Sequence, residues 1–458
     1  MYYSAKKERT RSGRLAVFLL LACFLSLHAH EYTQLVYDNA SDAHILVRDS
    51  VGIDALSPDE MVMSWEQRVK TELDKLAFEA DHAYYNTGIC VWDLTADSLL
   101  WGYNHQKVMR PASTQKVLTA VSALSLLGAR HEFRTRAYYT GNISADGILH
   151  GDIYVVGAFD PMYSITDLRA LARTISNLGI KRISGKVYGD ASMKSQDLYG
   201  NGWCWDDVPS KYEPYLCALM VERGMTAPKF NSYSKDPSFH PALHFVYVLS
   251  QELYNLGVKN ADGMSISEYG MKEYTYNGQN FYTKTRTIDQ VMQQMLKMSD
   301  NLHAEAVFFQ LAYANAGKNS TWKDGARQVE NVLRKVGVAT SYAKVADGSG
   351  VSLYNYVSPD AEVAMLRYAH QNSNIYQYFY PALPIAGVDG TLETRMKTGN
   401  AYRNVHAKTG TLEGVISLTG YVTASNGHQL AFSILVNGVL SAQVARNFQD
   451  RVCQELAR

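Results

Sequence analysis

The chain has 458 residues, 47% of them apolar, with 44 basic against 44 acidic side chains and a formal net charge of zero. That length exceeds what one hydrophobic core usually serves and predicts several domains. Balanced charge, with no basic block in the chain after its N-terminal stub, excludes a general attraction to nucleic acid or acidic polymers.

At the N-terminus Lys6, Lys7, Arg9, Arg11 and Arg14 precede an apolar run from Leu15 to Leu27. This is a secretory signal pattern, too short for a comfortable membrane span, with cleavage expected near Ala29. A second reading is lipoprotein processing at Cys23, but the apolar run continues past that cysteine. No later stretch is long enough to span a bilayer, so the mature chain is expected in the periplasm or cell envelope without a transmembrane segment. Of the remaining Cys90, Cys204, Cys217 and Cys453, Cys204 and Cys217 are close enough in sequence to pair, or to stay two buried thiols.

Ser113-x-x-Lys116 comes next. Ser-x-x-Lys also occurs at Ser4, Ser232, Ser320 and Ser341, so context must choose. After Ser113, Val117, Leu118, Val121, Leu124 and Leu127 recur at helical spacing, Pro111 suits a first turn and Gly128 an end. Ser113 therefore opens an apolar, buried helix, with Lys116 about one turn on and on the same face. Burial and the positive helix end both favour a neutral lysine amine, able to take a proton from a serine that is otherwise a poor nucleophile. The other copies lie in the basic stub, in loop composition, or beside connectors with no buried helix following.

Further along, Leu168–Leu178 is an amphipathic helix ended by Gly179, 183–188 alternates like a strand, and 240–256 is helical, a helix-then-strand composition suited to an α/β subdomain. No phosphate-binding glycine loop is present. An apolar run through Val291, Met292, Met295 and Leu296 ends just before Ser299-Asp300-Asn301, and Leu302, Ala306, Val307 and Phe309 begin another. Ser299 and Asn301 thus lie on a short helix-to-helix connection and can point into a cleft; alternatively Ser299 merely caps the second helix. Asp347 in Asp-Gly-Ser-Gly orders a turn, Glu305 supports the helix after Ser299, and Asp300 is structural.

Lys-Thr-Gly occurs twice, at Lys397 and Lys408. After Lys397 no strand follows. After Lys408-Thr409-Gly410 come strands at Val415–Thr423 and Gln429–Val436, joined by an Asn426-Gly427 hairpin turn. The motif reads as a strand edge facing the serine, with Gly410 letting a substrate backbone lie close. Val444, Phe448, Val452 and Leu456 then mark a final helix. His-Glu-x-x-His and Gly-x-Ser-x-Gly are absent, and no cofactor or metal is expected.

Serine-Lys, Ser-x-Asn and Lys-Thr-Gly in this order are used by penicillin-binding proteins and serine β-lactamases. The chain resembles the class C low-molecular-mass penicillin-binding proteins, the D-alanyl-D-alanine carboxypeptidase and DD-endopeptidase family. The likeness extends over Pro111–Lys116, Gly151–Tyr154, Ser299–Glu305, Asp347–Ser352, Gly387–Leu392 and Ala407–Leu412. Ser113 and Ser299 are 186 residues apart, which implies a large insertion between those motifs. The resemblance implies an α/β and α+β multidomain fold. A transpeptidase/β-lactamase-like domain, an antiparallel sheet between helices, would join 30–131 to 285–458 after a signal peptide at 1–29. An inserted domain would occupy 132–160 and 230–284, with a second nested in it at 161–229. Strands near Gly88–Leu94 and Ser98–Tyr103 would complete the sheet beside the Lys408 strand.

For the chemistry, the resemblance implies that Ser113 attacks the D-alanyl-D-alanine carbonyl or a β-lactam. Lys116 takes its proton, and Ser299 relays it with help from Lys408. Asn301 binds the substrate backbone, Lys408 and Thr409 hold its carboxylate, and the amides of Ser113 and Thr411 form an oxyanion hole beside Gly410. The partners would be peptidoglycan stems or cross-links, with β-lactams as covalent inhibitors. A β-lactamase and a non-catalytic wall-peptide-binding protein are the rival readings. The long insertion and the lack of Glu-x-x-Leu-Asn weigh against the first, and the intact motif residues against the second.

Overall fold

The computed structural model describes residues 63–458, apart from segments 83–84, 209, 211, 226–239, 264–266 and 276. The signal pattern, Cys23, residues 30–62 and the motif copies at Ser4 and Ser232 lie outside the described residues.

The strands of the two main sheets are, in chain order, β1 (Asn86–Asp93), β2 (Ser98–Tyr103), β3 (Glu132–Tyr139), β4 (Ile153–Val156), β5 (Val187–Asp190), β6 (Tyr269–Met271), β7 (Gln279–Thr287), β8 (His406–Leu412), β9 (Val415–Thr423) and β10 (Gln429–Asn437). The helices that frame the first sheet and the site are α1 (Trp65–His82), α2 (Gln115–Leu126), α3 (Ile288–Lys297), α4 (Asn301–Ala316), α5 (Pro359–Gln371) and α6 (Ala442–Leu456).

The first sheet runs β8-β9-β10-β1-β2, antiparallel throughout. Its residues alternate between two cores, as a pleated strand buried on both faces requires. Ile89 and Val91 of β1 join Leu430, Phe432 and Ile434 of β10 in a core shared with Val69 and Leu73 of α1 and Val452 and Leu456 of α6. Cys90, Ala431 and Leu435 face the opposite core, with Val363 and Leu366 of α5. Each large apolar side chain buried there stabilises the sandwich by about 1.5–3 kcal/mol. The expected antiparallel sheet between helices is present. Its order corrects one expectation: β1 and β2 lie not beside the Lys408 strand but beyond the hairpin, where β1 pairs with β10. β8 stands at the sheet edge, bridged on its outer side only at its start, where His406 meets Ile385.

The hairpin turn falls where Asn426-Gly427 predicts, with Gly427 at φ +86°. The final helix spans Ala442–Leu456, but its buried stripe is Ala445, Gln449, Val452, Cys453 and Leu456. Val444 is exposed, because at 3.6 residues per turn a strict every-fourth series drifts off the face.

The interval 132–287 supplies the second sheet, β7-β3-β4-β5-β6, antiparallel at one end and parallel at the other. A helix at Ile165–Asn177 begins with a Ser164–Asp167 capping box and gives way to Gly179 at φ +84°. The strand expected at 183–188 is broken into Arg182–Ile183 and β5, which pair in different sheets. β5, from the interval expected to form the nested unit, hydrogen-bonds between β4 and β6 of the outer one. The two expected inserted units therefore share one sheet. Cys204 and Cys217 are separate thiols.

Candidate active site

Ser113 does not open α2 itself. It sits in a 3-10 turn, Ala112–Thr114, immediately before the helix. Ala112 is held at φ +51°, a left-handed conformation that costs a non-glycine residue about 1–2 kcal/mol. Several contacts hold the turn there. Thr114 Oγ1 donates to Glu362 Oε1 at 2.6 Å, and the other oxygen of this buried glutamate accepts from Thr419 and Ser433. Ser417 Oγ donates to the Pro111 carbonyl. Asn437, the last residue of β10, grips the Arg110 backbone at both its N–H (2.9 Å) and its carbonyl (3.1 Å).

Lys116 is fully buried and its Nζ has three acceptors: Ser113 Oγ at 2.8 Å, Asn301 Oδ1 at 2.6 Å and the Ser349 carbonyl at 2.7 Å. Burial pulls its pKa down to about 8, against the opposing charges of Asp347, Asp300, Glu305 and Glu213. Two of the acceptors, an amide oxygen and a backbone carbonyl, cannot give a proton. In the free amine they take both N–H groups and leave the lone pair facing the Ser113 hydroxyl.

Ser299 lies between α3 and α4 at φ +60°. It is not the cap of α4: Asp300 is, accepting from the His303 N–H. Burial raises the Asp300 carboxyl, but its His303 hydrogen bond and the His303 and Arg223 charges outweigh that and hold it low. Ser299 Oγ is instead the acceptor for Lys408 Nζ at 2.8 Å. Lys408 is also fully buried and donates to the Thr409 carbonyl; burial and the nearby Lys116 charge hold its pKa well below the ordinary lysine value. Thr409 Oγ1 meets Thr391 Oγ1 at 2.7 Å.

Gly410 is required by its own surroundings as well. A Cβ there would collide with the Ser417 hydroxyl and stand 2.8 Å from the Pro111 carbonyl and 2.9 Å from the Ser113 nitrogen. The glycine thus lets β8 press against the serine turn.

A cleft of about 660 Å³ opens over these groups. Ser113, Ser299, Asn301, Thr409, Gly410 and Thr411 line it, while Lys116 and Lys408 lie beneath its floor. All eight predicted site residues are brought together. The rival motif copies are not: Lys397 is exposed in a loop, and Ser341 is exposed in a 3-10 turn. Ser320 is followed by a helix after all, Trp322–Lys335, but its hydroxyl donates to the Met193 carbonyl and Lys323 faces outward.

Glu305 differs from expectation as well. It reaches out of α4 to accept from the N–H groups of Gly348 and Ser349, and so positions the carbonyl-bearing loop under Lys116. Burial and the Asp347 charge raise its pKa to about 8. Asp347 does order its turn, accepting from Gly350, Ser352 and Asn355 and also from Trp203 Nε1 at 2.8 Å. Sequence reasoning missed Glu213, whose Oε1 accepts from Asn301 Nδ2 at 2.6 Å. It lies in coil with no motif or periodicity to mark it.

Residues 69–238 and 237–458 match the D-Ala-D-Ala carboxypeptidase 3 (S13) family. The chain belongs to this family. It is a serine-type D-Ala-D-Ala carboxypeptidase, a hydrolase. The D-alanyl-D-alanine carboxypeptidase DacB of Haemophilus influenzae is 26% identical over 77% of this chain and 85% of its own length. A D-alanyl-D-alanine carboxypeptidase from an Actinomadura species is 28% identical over 81% of each. In fold, the enzyme resembles penicillin-binding protein 4 of H. influenzae, with a TM-score of 0.74 at 24% identity over 83% of this chain and 99% of the other.

Proposed function

We propose that Ser113 is the acylated nucleophile of this enzyme and Lys116 its proton acceptor. The observation that carries the reading is the Lys116 amine, 2.8 Å from Ser113 Oγ with its other two hydrogen bonds spent on carbonyl oxygens. As Oγ bonds to the scissile carbonyl carbon, its proton passes to Lys116 Nζ, and the carbonyl oxygen gains charge beside the N–H groups of Ser113 and Thr411. Such donors each contribute about 3 kcal/mol at the transition state. When the C–N bond breaks, the leaving amine takes a proton through Ser299, whose hydroxyl accepts from Lys408. Asn301 hydrogen-bonds the substrate backbone, and Lys408, Thr409 and Gly410 frame the place of the terminal carboxylate. Water then attacks the acyl-enzyme and restores Ser113.

The substrates are D-alanyl-D-alanine stems or cross-links of peptidoglycan, and β-lactams acylate the same serine. One of the fold's relatives is a structure of the H. influenzae penicillin-binding protein 4 complexed with a β-lactam. The enzyme acts in the cell envelope, exported by a signal peptide at residues 1–29; among the described residues no helix is long and apolar enough to cross a membrane. Its catalytic domain joins residues 64–131 to 288–458 around an insertion at 132–287 that carries the second sheet.

Intact-protein mass spectrometry after exposure to benzylpenicillin tests the assignment. The wild type should gain one penicillin mass and Ser113→Ala none. Rapid release of penicilloate by the wild type would point to a β-lactamase, and an adduct on the variant would move the nucleophile elsewhere.

A further inference from the structure

Both carbonyl acceptors of Lys116 are themselves held from the inserted interval. The Asn301 amide donates its Nδ2 to Glu213 Oε1 at 2.6 Å. A carboxylate has no proton to give, so it accepts only the NH2 end of the amide and turns the oxygen end toward Lys116. Were the amide reversed, its NH2 would confront the Lys116 N–H groups and the amine would lose one of the two acceptors that aim its lone pair. Glu213 is fixed in turn: its Oε2 accepts from Ser210 Oγ at 2.7 Å, and the same hydroxyl accepts from the Glu213 N–H at 3.0 Å. The Ser349 carbonyl is secured from the same stretch of chain. Trp203 Nε1 donates to Asp347 Oδ2, the centre of the turn that carries Ser349, and the Leu353 N–H donates to the Gly202 carbonyl. The stretch has its own anchor, Lys194, whose buried Nζ donates to the carbonyls of Ser195, Asp197 and Leu216.

We propose that Gly202, Trp203, Ser210 and Glu213 of the insertion form a clamp on the general base, with Glu213 a positioning residue that sets the Asn301 amide so that its oxygen faces Lys116. This deepens the reading of Lys116 as proton acceptor and rests on it. In this view the insertion does more than add surface to the cleft: it completes the hydrogen-bond set that prepares the amine.

The test measures the benzylpenicillin acylation rate of the full chain for wild type, Glu213→Ala and Glu213→Gln, with melting temperature alongside. Benzylpenicillin carries no amine to pair with a carboxylate, so a substrate-recognition role for Glu213 would leave its rate untouched. Glu213→Ala should acylate at least about tenfold more slowly, since sub-ångström placement of a catalytic group governs rates of this size. Glu213→Gln keeps an oxygen acceptor for Asn301 Nδ2 and should recover to within about threefold of wild type. Trp203→Phe removes the second anchor while keeping the ring, and should slow acylation even if Glu213→Ala fails to fold. Equal rates in all four proteins would overturn the proposal while leaving the Lys116 assignment standing. Equal slowing by Ala and Gln would overturn it too, since charge rather than the hydrogen bond would then be responsible. A wild type that forms no Ser113 adduct would remove the Lys116 reading and this inference with it.

Discussion

Gly410→Ala probes how tightly the Lys-Thr-Gly strand is fitted to the serine turn. The added methyl has no empty direction. It meets the Ser417 hydroxyl at once, and beyond it stand the Pro111 carbonyl at 2.8 Å and the Ser113 nitrogen at 2.9 Å. Ser417 can rotate away, but it then gives up its hydrogen bond to Pro111, worth about 1 kcal/mol. The two backbone atoms cannot rotate, so β8 and the 111–113 turn must part by several tenths of an ångström. Overpacking of this kind costs about 1–3 kcal/mol, which lowers the melting temperature of a domain this large by roughly 2–6 °C at about 2 °C per kcal/mol. The displacement falls on Ser113, the proposed nucleophile and oxyanion donor, so acylation should fall about 100-fold. Rates of benzylpenicillin adduct formation, followed by intact mass, read the second effect and calorimetry the first. Adding Ser417→Ala removes the hydroxyl clash but neither backbone contact, so it should recover part of the stability and little of the rate. A Gly410→Ala protein that acylates within about threefold of wild type would refute the argument that the glycine is dictated by the serine turn.

Lys116 must be neutral to accept a proton, and its pKa lies at about 8. Acylation at subsaturating benzylpenicillin should therefore rise about tenfold per pH unit below that value and level off above it; a rate already flat from pH 6 would exclude this amine as the base. Lys397→Ala, in an exposed loop, should leave acylation unchanged. Lys408→Ala removes the donor to Ser299 and should cost about 100-fold or more. The reverse ranking would move the third motif to the other copy.

How far the sequence reveals this enzyme depends on the range of each signal. The hairpin at Asn426-Gly427, the apolar runs on either side of Ser299, and the helix after Ser113 are local patterns, and each lies where periodicity and turn chemistry put it. The motif order names the chemistry because three short signatures coincide, and the apolar context separates Ser113 and Lys408 from their rival copies. What stays hidden is non-local. The pairing of β1 with β10 rather than with β8 leaves no trace in either strand. Glu213 is one carboxylate in coil, and it acquires meaning only by meeting Asn301, 88 positions away. The Ser349 acceptor is a backbone carbonyl, which no residue type announces. The face of the final helix was half legible, because Val452 and Leu456 fit both a four-residue and a 3.6-residue repeat while Val444 fits only the first.

The grip of Asn437 on Arg110 bears on when the enzyme becomes an enzyme. Asn437 is also opposite Asn86 at the end of the β1–β10 ladder, so one late residue both closes the sheet and seats the turn that carries Ser113. During synthesis, Ser113 and Lys116 emerge early and then wait for more than 300 residues, through the whole insertion, before that partner exists. Joining contacts so distant along the chain is slow and comes late in folding. A truncated or nicked chain lacking β10 would hold every residue of the first two motifs yet have no means of setting them. Hydrolytic competence thus arrives only with the completed polypeptide.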